Sequence, residues 1–260
     1  MGRIRLLAWW VQMGSVLLFA VSCMVDRDRI TEDPFLGEPA ARRAVGQLAN
    51  QLLSADRFTR LEIEVVYMEG FRPTNQMLGE MVSFLETYTH KPDGVIFRER
   101  EIPALGQQSY TVQELLALER EHRQRYNERN ILTVFLLVVD GYFSRDDEDT
   151  FALGAAYQST SMVLFGRRIV ENSGIIRRPG RALLESTIVL HELGHLMGLV
   201  NNGTDMVEDH EDEENHFHCD NSSCLMFWAV ETHRVLGMVN ATIPPLDVKC
   251  RNDLRANGGR

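Results

Sequence analysis

The chain has 260 residues, of which 44% are hydrophobic and 25% charged, with 19 Gly and 8 Pro. Those proportions are ordinary for a globular protein and exclude a disordered, collagenous or coiled-coil chain. A formal net charge of −10 argues against a nucleic-acid partner, which needs a basic face to displace counterions, and against docking on anionic lipid through a basic patch.

Residues 1–22 open with Arg3 and Arg5, run through the apolar stretch Leu6–Val21 and end in Ala20-Val21-Ser22. A basic start, an apolar middle and small residues at the cut make an export signal. The Cys23 that follows resembles the first residue of a mature bacterial lipoprotein. That resemblance implies lipidation of Cys23 and a membrane-anchored protein facing the periplasm or the cell surface. An uncut signal anchor and simple secretion are the other readings, and all three place the body outside the cytoplasm. Residues 23–39, polar and carrying Pro34 and Pro39, read as a tether, and residues 40–260 as one domain. Beyond Cys23 there are Cys219, Cys224 and Cys250. An oxidising compartment favours pairing of Cys219 with Cys224, but Cys250 can pair with either, and spacing alone leaves the connectivity open.

Ala40–Leu53 has helical spacing, and Leu61–Tyr67 alternates as a strand does before Gly70 and Pro73. Met77, Met81, Phe84 and Leu85 form a helical stripe that stops before the Lys91-Pro92-Asp93-Gly94 turn. Val95–Ile102 reads as a second strand. Thr111 and Glu114 form a capping box that opens a helix running to about Tyr126. Ile131–Val139 is almost wholly apolar, as a central strand covered on both faces would be. Gly154–Phe165 reads as a further, more polar strand at the sheet edge. Arg181–Leu199 is a strong helix, and Ala229–Met238 reads as a closing one. The alternation predicts an α/β fold, with a mixed, mostly parallel sheet, an antiparallel edge strand and flanking helices.

The helix Arg181–Leu199 contains His191-Glu192-Leu193-Gly194-His195. Residues four apart share a helix face, so both imidazoles can reach one ion. Imidazole is a good zinc ligand, and Glu192 stands beside the metal where it can take a proton from an acidified water. Gly198 lets the helix end in a left-handed turn, so that the chain can bring back a third ligand. The pattern His191-Glu-x-x-His195-x-x-Gly198 resembles the metzincin zinc proteases. Their usual third ligand would fall at Asn201, a poor donor.

Downstream, His218-Cys219, four residues, Cys224, one residue and Met226 resemble the archaemetzincin branch. The resemblance implies one catalytic Zn²⁺ held by His191, His195 and His218, with Glu192 as general base and Met226 as the turn methionine beneath the metal. It implies a zinc endopeptidase acting on a peptide or protein substrate. Two features depart from the family: the insertion Asn201–Phe217, and a missing later Cys-x-x-Cys. In the family, four cysteines hold a structural zinc. Here only Cys219 and Cys224 match, which favours a disulfide between them. His216, His210 and Asp205 are the alternative third ligands. The acidic run from Asp205 to Glu214 reads as a solvated loop. Tyr142 and Tyr157 are candidate hydroxyl donors, and His233 is expected to be structural. The rival reading is a non-catalytic metal-binding or adhesion lipoprotein on the same fold. A self-inhibited enzyme, its open site filled by Asp209 or Cys219, is a third.

Overall fold

The computed structural model describes residues 33–147, 151–174, 178–231 and 242–260. The expectations for residues 1–22, Cys23 and His233 lie outside these. No helix among the described residues is long and apolar enough to cross a membrane.

The strands are β1 (Arg60–Met68), β2 (Val95–Ile102), β3 (Ser109–Tyr110), β4 (Ile131–Val139), β5 (Tyr142–Phe143), β6 (Gly154–Gln158) and β7 (Ser161–Phe165). The helices are α1 (Gly37–Ala41), α2 (Ala49–Leu53), α3 (Asn75–Tyr88), α4 (Val112–His122), α5 (Gly166–Glu171), α6 (Arg181–Leu196) and α7 (Val248–Ala256). Five strands make one sheet in the order β2-β1-β4-β7-β6. β1 runs parallel to β2 and β4, β4 parallel to β7, and β6 antiparallel to β7. The mixed, mostly parallel α/β architecture is thus the one expected.

Alternate residues of each central strand go to opposite faces. Ile63 and Val65 of β1, Val134 and Leu136 of β4 and Leu164 of β7 join Met77 and Met81 of α3 and Ile188 and Leu193 of α6 in one core. Val66, Phe135, Leu137 and Val163 join Leu115 and Leu118 of α4 on the other face. Two cores explain why β4 is apolar at nearly every position. Each such side chain, fully buried, contributes ~1.5–3 kcal/mol.

Four local features depart from the sequence pattern. Leu61–Tyr67 alternates apolar and polar residues, yet Glu62 and Glu64 are buried as well. Glu64 is satisfied by the amides of Gln124 and Arg125 at 2.9 and 2.8 Å, and Glu62 faces Arg125 at 3.5 Å. The stretch Gly154–Phe165 is a hairpin rather than one strand. Its short turn can join only antiparallel neighbours, so β6 becomes the edge and β7 is wholly buried. Helical spacing over Ala40–Leu53 resolves into α1 and α2, separated around Gly46, whose φ of +77° lies in the left-handed region. Helix α4 keeps its capping box but ends at His122, because Arg123 turns inward to bond Glu119 at 2.7 Å and the Thr133 carbonyl at 3.0 Å.

Candidate active site

Helix α6 packs against α3 and beneath β6 and β7. The Thr74 amide that opens α3 donates to Glu185 at 2.9 Å, which fixes one helix to the other. The far end of α6 closes in a Schellman motif. Leu199 N–H reaches the Gly194 carbonyl and Gly198 N–H the His195 carbonyl, both at 3.0 Å, with Gly198 at φ +82°. Such an exit needs a residue without a Cβ penalty. A Cβ on Gly198 would also meet Thr204 at 2.7 Å and Ala49 at 2.9 Å. Val200 and Asn201 keep positive φ, so the chain turns sharply away from the helix axis. The exit loop lies on the N-terminal segment so closely that a Cβ on Gly46 would sit 1.6 Å from the Asn202 carbonyl oxygen.

The loop from Asn201 returns His218 to the helix. His191, His195 and His218 each offer a ring nitrogen, and these nitrogens all lie within 4.8 Å of one another. His191 and His195 Nε2 are 3.1 Å apart. Nitrogens ~2.0–2.1 Å from a common tetrahedral zinc stand about 3.3 Å apart. The tautomers also fit: His191 Nδ1 donates to the Leu225 carbonyl at 2.7 Å and His218 Nδ1 to the His216 carbonyl at 3.0 Å. Those two rings therefore present their Nε2 lone pairs, the outer-shell arrangement of zinc-bound histidine, while His195 Nδ1 faces the Asn202 side-chain amide at 3.5 Å. The donor set fits a zinc ion with protein ligands on three sides.

Glu192 is fully buried, and its Oε2 accepts the Ala156 amide of edge strand β6 at 2.6 Å. The register of β6 against β7 shifts between Ala156 and Gln158, which places this amide over the helix. Met226 lies beneath: a Cβ on Gly194 would stand 2.3 Å from the Met226 sulfur. The glycine between the two histidines is thus a seat for the methionine. A cleft of about 170 Å³ opens beside the imidazoles, lined by Val45, Ala155, Ala156, Glu192, His195, Asn202, Phe217 and His218.

The other candidates lie elsewhere. Asn201 donates to Glu211 at 3.0 Å. Glu211 also accepts the Phe217 amide at 2.8 Å, so Asn201 pins the insertion instead of binding metal. His216 is exposed and faces Glu211 at 3.3 Å, and Asp205 is exposed. Tyr142 donates to Glu171 at 2.6 Å. Tyr157 packs on the α4 face, where burial and then the Glu119 charge raise its hydroxyl pKa well above the ordinary range. Neither tyrosine faces the imidazoles. Asp209 is exposed on the acidic loop, whereas Cys219 is buried with the other thiols.

The expected Cys219–Cys224 disulfide is not formed. Cys219, Cys224 and Cys250 are free and buried, and His210 leaves the acidic run to join them. Hydrogen bonds from the Cys219 and Cys250 thiols hold the Cys224 pKa well below the usual thiol range. Sequence reasoning weighed His210 only as an alternative third ligand, and it missed the Ala156 amide, the Leu225 carbonyl and the place of Gly194. Of these, only Gly194 left a sequence signal, a helix-breaking residue inside the metal motif.

The sequence matches no family model and no curated protein. In three dimensions it is similar to the crystal structure of archaemetzincin from Methanopyrus kandleri, with a TM-score of 0.51 and 17% identity over 76% of this chain and 96% of that one. At that identity the likeness is one of fold.

Proposed function

We propose that the protein is a zinc-dependent endopeptidase in which His191, His195 and His218 hold the ion and Glu192 is the general base. The observation that carries this reading is the convergence of the three imidazoles beside a buried carboxylate pinned by the sheet edge. When bound, zinc supplies Lewis acidity, acidifying a water and polarising a peptide carbonyl.

The chain's own groups do the rest. The Glu192 carboxylate accepts the proton of the attacking water and returns it to the departing amine. The Ala156 amide holds Glu192 Oε2 and so fixes the direction of the carboxylate. An extended peptide adds to the outer edge of β6, where backbone amides and carbonyls align it across the cleft. Val45 and Phe217 on the cleft wall favour an apolar side chain in the bound peptide.

Peptide-library digestion tests the reading. The wild type should cleave, chelator should abolish cleavage, and zinc should restore it. Glu192→Gln should retain zinc and lose about 10²–10⁴-fold in turnover, the usual weight of a general base. Undiminished cleavage by that variant would remove Glu192 from its role. Zinc retention without cleavage of any peptide by the wild type would leave the metal-holding lipoprotein in its place.

We further propose that the enzyme is exported and lipid-anchored through Cys23, on the strength of residues 1–23 alone. Cys23→Ala should move the protein from the membrane fraction to the soluble one. Unchanged partitioning would end this part of the reading.

A further inference from the structure

Two of the three imidazoles are steered by main-chain carbonyls, His191 by Leu225 and His218 by His216. Those two rings lie nearly parallel, 19° apart, and the His195 ring stands edge-on to both, at 84° and 89°. A carbonyl can only accept, so it decides which nitrogen of its histidine keeps the proton. His195 is treated differently. Its Nδ1 faces the Nδ2 end of the Asn202 side-chain amide at 3.5 Å, and its Nε2 faces His191 Nε2 at 3.1 Å. Because Nε2 is the nitrogen that the three rings can share, the metal-binding form of His195 carries its proton on Nδ1. That proton needs an acceptor. An asparagine amide has one accepting and one donating end, and a half-turn about its χ2 exchanges them within the same outline.

The main chain around Asn202 is clamped on every side. The preceding Asn201 donates to Glu211 at 3.0 Å, and the Thr204 hydroxyl donates to the Gly198 carbonyl at 2.9 Å. Between them, Gly203 has φ +92°, and a Cβ on it would stand 2.7 Å from the Gly46 carbonyl carbon. The Asn202 carbonyl presses on Gly46 in turn. Only the side chain is left to turn, on the cleft wall beside His195. Among the described residues it makes no hydrogen bond except that with His195. Asn202 lies in the insertion, as does the His216 whose carbonyl steers His218. The stretch that departs from the archaemetzincin spacing thus supplies partners for two of the three rings.

We propose that Asn202 is the positioning residue of His195: its Oδ1 accepts the Nδ1 proton, holds the ring edge-on to the other two and commits Nε2 to the ion, an inference that rests on the zinc reading above. A group that accepts this proton raises the basicity of the opposite nitrogen and fixes the ring plane. The insertion then has a chemical task, and the Gly46 contact, far from any imidazole in sequence, acts on the site by keeping the Asn202 main chain in place.

Zinc affinity of the purified full chain, measured by competition with a chromogenic chelator, tests this without an activity assay. The ion to follow is the one that a His191→Ala/His195→Ala chain fails to bind. Asn202→Ala should weaken its binding about 10–100-fold, the usual weight of an outer partner of a ligand histidine. Asn202→Asp keeps the outline and accepts at both ends, so it should bind the ion at least as tightly as the wild type. In the zinc-loaded wild type, the His195 Nδ1–H should give a slowly exchanging, downfield imidazole proton resonance, kept in Asn202→Asp and lost in Asn202→Ala. Wild-type affinity in Asn202→Ala, an Asn202→Asp chain as weak as Asn202→Ala, or a zinc-loaded wild type without that resonance would overturn the proposal and leave the zinc reading standing. A wild type that binds no more metal than the His191→Ala/His195→Ala chain would overturn both.

Discussion

His218 reaches the other two imidazoles although seventeen inserted residues separate it from the helix exit. Its ring is oriented by the carbonyl of His216, two residues earlier, while His216 itself points to solvent and Glu211. The two histidines should therefore respond differently to removal. His218→Ala should lower zinc affinity by two orders of magnitude or more, and His216→Ala by less than tenfold, in competition titrations with a chromogenic chelator. The reverse order would move the ligand to His216. How legible each residue was depends on how local its geometry is. His191, Glu192 and His195 follow from helical period alone, because four residues nearly complete a turn. His218 was reached through a resemblance in Cys and Met spacing. The Ala156 amide was invisible, since every residue but proline carries one and only the fold decides where it points. His210 was hidden in an acidic run whose other members are mostly exposed.

Elements α2 and β2 show the same contrast between local signal and long-range outcome. The turn Lys91-Pro92-Asp93-Gly94 reads as a surface connection, yet the Lys91 ammonium is buried at the end of α2. There it donates to the carbonyls of Gln51, at 2.8 Å, Phe58, at 2.7 Å, and Ser54. A cation suits the carbonyl end of a helix, but its burial pushes the amine pKa down from 10.5 to about 8. Between those two values the unfolded chain binds more protons than the native one, so stability should rise as pH climbs from 8 towards 10.5. The full rise is worth about 3 kcal/mol at most, since the three carbonyls favour the charged form. Urea unfolding at intervals across this range should show the rise in the wild type and a flat profile in Lys91→Met. An equal rise in both would assign it to another group. The strands were easier to read. β4 ends where its apolar run ends, whereas the Gly154–Phe165 hairpin was taken for one strand, because neither Ser159 nor Thr160 announces a turn as Gly or Asn would.

At the scale of the molecule, the site draws on parts distant in sequence: the edge strand β6, helix α6, the returning insertion and a segment near residue 45. The α/β class was legible from strand and helix alternation, because each element carries its own period. The order of the strands was not, since it depends on which apolar faces meet. The contact of Gly46 with Asn202 and Gly203 makes the front of the described chain one bank of the cleft, with Val45 at the water's edge. Proteolytic shortening of the chain to Leu48 would strip that bank away while leaving all three imidazoles in place. Such a clipped form should still bind zinc but cleave peptides with a much higher KM, measurable by comparing a chain beginning at Leu48 with one beginning at Asp33. An equal KM for the two would show that the missing bank touches no substrate. On the proposed reading, a single cut in this leading segment by another protease would blunt substrate capture while sparing the three imidazoles.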